Sequence, residues 1–151
     1  MIRKATPRDI KAVHSLIAEQ AKDGHILARP ISELYGQVRD FLVWTDDDSG
    51  KIIGCGSLEV VWEDLAEIRS LAVTGPLQRQ GMGTRLAEAL LRDAREMEIA
   101  KVFVLTYRVT FFERLGFTQM DKSHLPHKIW ADCIRCTKFP ECDETALVRS
   151  P

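Results

Sequence analysis

The feature that most constrains the fold is the loop at residues 78–84 (QRQGMGT), which carries two glycines, Gly81 and Gly83, two positions apart. Residues 67–73 (EIRSLAV) precede the loop and predict a β-strand. Residues 83–96 follow it and predict a helix, because their apolar side chains recur at helical spacing. A strand that leads through a glycine loop into a long amphipathic helix is typical of an α/β chain.

The remaining segments complete an alternating pattern of strands and helices. Further strands are predicted at residues 2–5, 41–45, 51–62 and 101–107, with a last pair that begins at Phe117 and closes at residues 145–148. Further helices are predicted from Thr6 to about Lys22, from Ser32 to Val38 and at residues 111–115, with Gly24 and Gly116 as stop signals. This order predicts a mixed, mostly antiparallel sheet flanked by helices, with one βαβ crossover.

Length and charge limit the classes of function. A chain of 151 residues is expected to form a single domain, residues 1–151, and the net charge of −1 argues against nucleic acid as the main partner. The sequence has no apolar run near ~18 residues, which predicts no membrane span. Its charged first residues show no secretory signal, so we expect a cytoplasmic protein with reduced thiols.

The glycine loop has the features of an anion site. Glycine allows close approach of the backbone to a ligand, and the first turn of the following helix leaves N–H groups without partners. Together they favour a phosphate or pyrophosphate, with side-chain donors from Gln78, Arg79 and Thr84. The loop lacks the third glycine of a dinucleotide fingerprint and the Gly-Lys-Ser/Thr of a Walker loop. A tight strand-to-helix turn without a ligand is the alternative interpretation.

The pattern Gln78-x-x-Gly81-x-Gly83, followed by residues 111–117 (FFERLGF), resembles the acetyl-CoA motifs of the GNAT N-acetyltransferases. The resemblance implies the GNAT fold and acetyl-CoA as co-substrate. It also implies a set of cofactor-binding residues: Leu71, Ala72, Val73, Gln78, Arg79, Gln80, Gly81, Met82, Gly83, Thr84, Phe112 and Arg114.

Residues 24–29 (GHILAR), residues 102–106 (VFVLT) and Leu125-Pro126 narrow the resemblance to the acetyltransferase domain of N-acetylglutamate synthase. That family implies Glu67 as general base, Thr106 as general acid and Arg29 as a ligand of a glutamate carboxylate. With cations expected for the second carboxylate, the substrate-binding set is Leu27, Arg29, Arg108 and Lys128.

The sequence also departs from the family. Many GNAT enzymes have a tyrosine that protonates the leaving thiolate, and here Phe112 occupies that position. The synthase-like members resemble this sequence in lacking the tyrosine. Pro30 replaces a second arginine that often follows the first. The long synthases carry an arginine-sensing kinase-like domain that these residues do not include, so feedback control is not carried over.

Acetyl transfer from a thioester to an amine requires a base for the amine and an acid for the leaving thiolate. The amine must lose a proton before it attacks, so a base is needed, and Glu59 and Glu63 compete with Glu67 for this role. A salt bridge to Arg69 is the structural alternative for Glu67. A leaving thiolate with a pKa of about 8.5 needs only a weak acid such as Thr106 or Tyr107. No metal is required for this chemistry.

Three cysteines lie close together near the C-terminus, at Cys133, Cys136 and Cys142, after His124 and His127. With a histidine they fit a tetrahedral zinc site, although the spacing is short for a zinc ribbon. A disulfide and free thiols are the alternatives. We interpret residues 124–151 as a Cys/His-containing extension of the same domain.

The function expected from the resemblance is transfer of an acetyl group from acetyl-CoA to the α-amino group of L-glutamate, a step toward arginine. The alternatives are a GNAT enzyme for another small amine or a protein N-terminus, and a non-catalytic acetyl-CoA sensor. The expected partners are acetyl-CoA and a small amino acid, without nucleic acid or membrane. GNAT domains are often dimers, so a homodimer is an open expectation.

Overall fold

A computed structural model describes residues 1–78, 80–125 and 144–151. Its strands are β1 (Ile2–Lys4), β2 (Phe41–Thr45), β3 (Ile52–Trp62), β4 (Leu65–Val73), β5 (Lys101–Thr106), β6 (Thr118–Met120) and β7 (Thr145–Arg149). Its α-helices are α1 (Ile10–Lys22), α2 (Ile31–Gly36), α3 (Met82–Glu96) and α4 (Val109–Arg114). Short 3₁₀ turns lie at Pro7–Asp9, Val38–Asp40, Gly75–Leu77 and Lys122–His124.

The strands form one mixed sheet in the order β1-β2-β3-β4-β5-β7-β6. The neighbouring strands are antiparallel except for β4 and β5, which are parallel and are connected through α3. This confirms the predicted mostly antiparallel α/β fold with one βαβ crossover. Strand β7, near the C-terminus, lies between β5 and β6, so residues 145–149 are part of the sheet.

Apolar side chains cover both faces of the sheet. On one face, α3 buries Leu86, Leu90 and Ala94 against β3, β4 and β5. On the other face, α1 buries its apolar side chains, including Ile17, against β2 and β3. Burial of this apolar surface is the main force that holds the helices on the sheet.

A β-bulge in β4 interrupts the regular pairing with β3. Cys55 pairs with Ala72 and Ser57 pairs with Arg69, so two residues of β4, Ser70 and Leu71, lie opposite one residue of β3. Ser70 has a φ of 55°, which is uncommon for a residue with a side chain. The bulge changes the direction of β4 immediately before the glycine loop.

Strands β4 and β5 pair only at their first residues. Residues Leu65 to Glu67 are in register with Lys101 to Phe103, and the pairing ends there. The two strands therefore diverge toward their C-terminal ends and leave a cleft between them. The crevice at the C-terminal ends of neighbouring parallel strands is a common place for a ligand site.

The predicted elements are confirmed, with shifts at their ends. The first helix begins with the 3₁₀ turn, in which the Thr6 N–H donates to the Asp9 carboxylate at 2.8 Å. Strand β4 begins two residues before its predicted start, because the tight turn at residues 63–64 already pairs Leu65 with Trp62. None of the helices within the described ranges is long and apolar enough to cross a membrane.

Candidate active site

The cleft between β4 and β5 opens into a cavity of about 950 Å³. Its walls are formed by the C-terminal halves of these two strands, the glycine loop, the start of α3, α4 and the segment from His25 to Arg29. Most of the predicted site residues line this one cavity: Leu27, Arg29, Glu67, Leu71, Ala72, Val73, Gln78, Gly81, Gly83, Thr84, Thr106, Arg108, Phe112 and Arg114.

The N-terminus of α3 forms one end of the cavity. Gly81 is the N-cap residue with a φ of 81°, a left-handed conformation that glycine adopts without steric cost. The first intrahelical bond runs from Arg85 N–H to the Gly81 carbonyl, which leaves the N–H groups of the preceding turn without helical acceptors. These donors and the helix dipole fit an anionic group such as a pyrophosphate.

The other loop residues contribute in different ways. The side chain of Met82 is buried in the core, so only its main chain is available to a ligand. Gln80 is exposed and lies outside the cavity wall. A Cβ atom on Gly83 would lie 3.4 Å from the Phe111 ring, so the absent side chain leaves room for that ring. Arg79 lies outside the described residues, and its predicted role stays a prediction.

Gln78 ties the glycine loop to the end of β4. Its side-chain nitrogen donates to the Val73 carbonyl at 3.1 Å and to Gln20 Oε1 at 3.2 Å. Gln20, on α1, also donates to the Val73 carbonyl at 3.1 Å. The Gln78 amide therefore holds the loop in place, and its predicted direct contact with the cofactor stays a prediction.

The bulged part of β4 presents main-chain groups to the cavity. Because β5 does not pair with residues 68–73, the peptide groups on that edge face the cleft instead of a neighbouring strand. The Cys55 thiol donates to the Ser70 carbonyl at 3.4 Å and holds the bulge from the β3 side. Leu71, Ala72 and Val73 lie on this edge and line the cavity, and their predicted place beside the thioester stays a prediction.

Glu67 lies at the last paired position of β4 and β5, where the cleft begins, and it is 8% exposed. Its two predicted competitors have different surroundings. Glu63 is exposed in the turn between β3 and β4. Glu59 accepts hydrogen bonds from two arginines, at 2.8 and 2.9 Å. Of these three acids, Glu67 is the one on the cavity wall.

The guanidinium group of Arg29 is enclosed, with a side chain that is 2% exposed. Its Nη2 donates to Glu59 at 2.8 Å, to Glu33 at 3.4 Å and to Gln37. Its Nη1 donates to the Ser70 hydroxyl at 3.1 Å. Its Nε is buried and has no hydrogen-bond partner within the described residues. Arg29 is thus held in one orientation on the cavity wall by two carboxylates, one amide and one hydroxyl group.

Arg69 is the second arginine on Glu59. Its Nη1 donates to Glu59 Oε2 at 2.9 Å, and its side chain is 22% exposed. Burial lowers the pKa of Arg69, but the carboxylates of Glu67, Glu59 and Glu33 outweigh burial and raise it above the usual value. Arg69 forms a hydrogen-bonded salt bridge with Glu59, and the Glu67 carboxylate also acts on it electrostatically.

Strand β5 and the turn after it supply the opposite wall. The Thr106 hydroxyl is buried there and accepts a hydrogen bond from the Arg108 N–H at 2.9 Å. Burial lowers the pKa of Arg108, whose side chain also lines the cavity. Phe112 packs edge to face against Phe111 and Phe117, with ring centroids 4.9 and 5.4 Å apart, and offers no hydroxyl group.

The structure adds four polar residues to the predicted site: His25, Arg69, Ser70 and Glu144 all line the cavity. Arg69 follows Glu67 by two positions on one strand, so strand alternation alone places both side chains on one face. Ser70 and Glu144 carry no comparable signal. Glu144 is buried beside β7 and reaches the cavity because β7 pairs with β5.

The predictions for the cysteine-rich segment fall outside the described residues. Lys128, His127, Cys133, Cys136 and Cys142 all belong to that segment. Across the described ranges, no group of three or more histidine, cysteine, aspartate or glutamate side chains lies close enough together to hold a metal ion. Cys55, which is described, is a free and buried thiol.

Comparison with known proteins gives a consistent family. The model of the acetyltransferase (GNAT) family matches residues 11–117. An uncharacterized N-acetyltransferase from Chlorobaculum tepidum is 36% identical over 149 residues, which cover 99% of this chain and 95% of that protein. An amino-acid acetyltransferase from Mycobacterium tuberculosis is 35% identical over 137 residues, which cover 89% of this chain and 78% of that protein.

The solved structures include a similar domain within a longer protein. The crystal structure of N-acetylglutamate synthase from Neisseria gonorrhoeae, complexed with coenzyme A and N-acetyl-glutamate, superimposes with a TM-score of 0.89 at 28% identity. The match covers 99% of this chain but 34% of the Neisseria chain. The similarity is therefore to one part of that enzyme.

Proposed function

The chain belongs to the acetyltransferase (GNAT) family, and from this premise we propose that it acetylates the α-amino group of L-glutamate. The named relatives and the solved structures with coenzyme A make it an acetyl-CoA-dependent amino-acid N-acetyltransferase. The choice of glutamate is supported by the Neisseria structure with N-acetyl-glutamate and by the arginines of the cavity. The product would serve arginine formation.

One arrangement carries the proposal. A single cavity joins the anion-binding end of α3 to a buried acid, Glu67, and to the arginines Arg29 and Arg69. An acyl donor with a pyrophosphate fits the helix end, and an acceptor with carboxylates fits the arginines. The acid between these two regions is where a base must stand to remove a proton from the acceptor.

Acetyl-CoA fits the described residues at two places. The N–H groups at the start of α3 and the conformation of Gly81 form a seat for the pyrophosphate. The unpaired edge of β4 at residues 71–73 offers main-chain groups to the arm that carries the thioester. When bound, acetyl-CoA supplies an acetyl group already activated as a thioester. Preorganised N–H donors on this edge would stabilise negative charge on the thioester oxygen.

The side chains then have distinct roles in the proposed reaction. Glu67 accepts a proton from the acceptor's ammonium group, directly or through one water. The neutral nitrogen forms a bond to the acetyl carbon as the carbon–sulfur bond breaks. Thr106, or Tyr107 beside it, donates a proton to the departing sulfur, which a weak acid suffices to do, and it is reprotonated by the second proton that the acetylated nitrogen loses. Much of the rate comes from holding both substrates in one cavity.

The acceptor is held by the charged part of the wall. In this proposal Arg29 binds one carboxylate of glutamate, the role that the family resemblance implies. Arg108 and Lys128 are proposed as cations for the other carboxylate, and Leu27 as an apolar contact. An acidic acceptor suits a wall that carries several guanidinium groups, whereas a polyamine would meet like charges.

A product assay with several amines tests the proposal. The protein is incubated with acetyl-CoA and separately with L-glutamate, L-aspartate, L-glutamine, L-ornithine, spermine or a short peptide, and products are detected by mass. We expect N-acetyl-L-glutamate to form fastest. Faster acetylation of another amine would keep the enzyme class and reject glutamate. Binding of acetyl-CoA without any product would reject the enzymatic role and favour a sensor.

A further inference from the structure

Arg69 differs from Arg29 in how much of its guanidinium group remains available. Both nitrogens at the tip of Arg29 already donate to protein acceptors, and the side chain is almost fully enclosed. Arg69 makes one hydrogen bond within the described residues, from Nη1 to Glu59, and its side chain is about ten times more exposed, at 22% against 2%. Its remaining N–H donors are therefore open to a ligand in the cavity.

Glu59 holds Arg69 in place for such a ligand. One carboxylate oxygen of Glu59 accepts from Arg29 and the other accepts from Arg69, so one acid fixes both guanidinium groups. Nearby carboxylates raise the pKa of Arg69, which favours its charged form. A fixed, partly enclosed guanidinium group is well suited to a carboxylate, because its fork matches both oxygens.

The spacing along β4 relates Arg69 to the proposed base. Glu67 and Arg69 are two residues apart on regular strand, so their Cα atoms are about 7 Å apart on one face. In L-glutamate the amino nitrogen and the side-chain carboxylate are separated by about 5 Å, from ordinary bond lengths. An acceptor with its ammonium group at Glu67 therefore brings its side-chain carboxylate within reach of the long Arg69 side chain.

We propose that Arg69 binds the side-chain carboxylate of the acceptor and thereby makes the enzyme prefer a dicarboxylic amino acid to its side-chain amide. The inference rests on the proposed acetylation of an acidic amino acid. It adds a binding residue that neither the glycine motif nor the segment around Arg29 indicates. Arg69 then acts on that carboxylate together with Arg108 and Lys128, the cations proposed above for it.

The test compares two acceptors of nearly equal shape, L-glutamate and L-glutamine, at saturating acetyl-CoA. Wild type, Arg69→Gln and Arg69→Lys are assayed by product mass, with Arg92→Gln as a control because Arg92 is an exposed arginine on α3. We expect Arg69→Gln to lower kcat/KM for glutamate by about 10- to 100-fold, mainly through KM, and for glutamine by less than about threefold. Arg69→Lys should keep part of the preference, because it retains charge but not the fork.

Equal losses for both acceptors in Arg69→Gln would overturn the inference and indicate a structural role. An unchanged preference, or a wild type that prefers glutamine, would overturn it as well. Thermal denaturation shows whether each variant is folded, and Arg69→Lys provides a second reading if Arg69→Gln is not.

A binding measurement separates this inference from the proposed function. If the wild type forms neither product, acetylation of glutamate is rejected, and calorimetry with coenzyme A present then tests Arg69 without turnover. The probes are N-acetyl-L-glutamate and N-acetyl-L-glutamine. Stronger binding of the first by wild type, and loss of that difference in Arg69→Gln, supports the inference. The absence of a difference in wild type, or its persistence in the variant, overturns it.

Discussion

Glu59 and Glu67 lie directly opposite each other in the antiparallel register of β3 and β4, yet their carboxylates have different surroundings. Both oxygens of Glu59 accept hydrogen bonds from arginines, whereas Glu67 lies on the wall of the cavity. Like charges at directly opposed positions repel, and the two arginines on Glu59 offset that repulsion. One acid therefore organises the arginines, while the other lies on the cavity wall, where we propose it acts as the base.

Glu67→Gln tests the base assignment. We expect kcat to fall by about 10²- to 10⁴-fold at neutral pH with little change in KM, because the amide cannot accept the proton. The deficit should shrink as pH rises, since a larger fraction of the amine is then neutral without help. The measurement is a pH–rate profile for both proteins. Glu63→Gln, in the exposed turn before β4, is the matched control, and a profile of Glu67→Gln that parallels wild type would remove Glu67 from the role.

Glu59→Gln should lower the free energy of unfolding and leave the pH dependence of the activity unchanged. The substitution removes the anion shared by Arg29 and Arg69, and loss of one partner from a buried ion pair costs about 3 kcal/mol of unfolding free energy. Chemical denaturation at neutral pH measures this loss. The remaining activity should keep the wild-type pH dependence, since the base is intact. A variant of wild-type stability with an altered pH–rate profile would indicate that Glu59, and not Glu67, is the base.

Gly81→Ala tests the anion seat at the start of α3. A side chain at a φ of 81° costs about 1 kcal/mol, and relief of that strain displaces the first turn of the helix. We expect a several-fold higher KM for acetyl-CoA. Gly50→Ala carries comparable strain at a φ of 72° in a turn away from the cavity, and it should lower stability without changing that KM. An equal effect of both variants on KM would argue against a local role of Gly81.

Asp9→Asn tests the ion pair that fastens β1 to the start of α1. Arg3 contacts both oxygens of Asp9, at 2.7 and 2.9 Å, and lowers the pKa of Asp9 from 3.8 to about 2. Because the folded pKa is lowered, the carboxylate stabilises the fold above pH 3.8, and that contribution is lost as pH falls toward 2.

We therefore expect Asp9→Asn to be less stable than wild type by about 1–2 kcal/mol at neutral pH. The difference should disappear between pH 4 and 2, to the extent that both proteins remain folded there. Urea denaturation at several pH values measures it. A difference that stays constant down to the lowest pH would show that the charge of Asp9 is not its cause.

Cys55 should be unreactive in the folded protein. Its thiol is fully buried, and burial raises its pKa to about 12, so the reactive thiolate is scarce at neutral pH. We expect alkylation of Cys55 by iodoacetamide at pH 8 to be at least about 100-fold slower in native protein than in denaturant. Peptide mass mapping distinguishes Cys55 from the other cysteines. Rapid labelling of the native protein would indicate that β3 opens locally.

Local sequence signals predicted most of the secondary structure. The helix at residues 83–96 was predictable because its side-chain periodicity reflects one buried face. The strands at residues 41–45 and 51–62 were predictable because they are apolar runs next to turn-forming residues. The glycine loop was predictable for a similar reason, since Gly81 supplies a backbone conformation that few other residues adopt. The ends of elements were less predictable, as the early start of β4 shows, because strand ends depend on the partner strand.

The composition of the site was predictable only in part. Sequence motifs and family resemblance pointed to Arg29, Glu67 and Thr106, and the structure brings all three to one cavity. The partners of Arg29 were not predictable, because Glu59 is 30 positions away in the sequence and the two meet only in the folded chain. Glu144 was missed for the same reason, since its place depends on the pairing of β7 with β5.

The sequence by itself determined which segments are strands and helices, where an anion can bind and which acids and arginines are candidates for chemistry. Those properties reside in short stretches of chain, through side-chain periodicity and the conformational freedom of glycine. Only the tertiary structure decided that Glu59 is neutralised while Glu67 faces the cavity, and that Arg29 is enclosed while Arg69 stays open. Burial and charge pairing depend on contacts between segments that are distant in sequence, and the strand register and the bulge at Ser70 set those contacts.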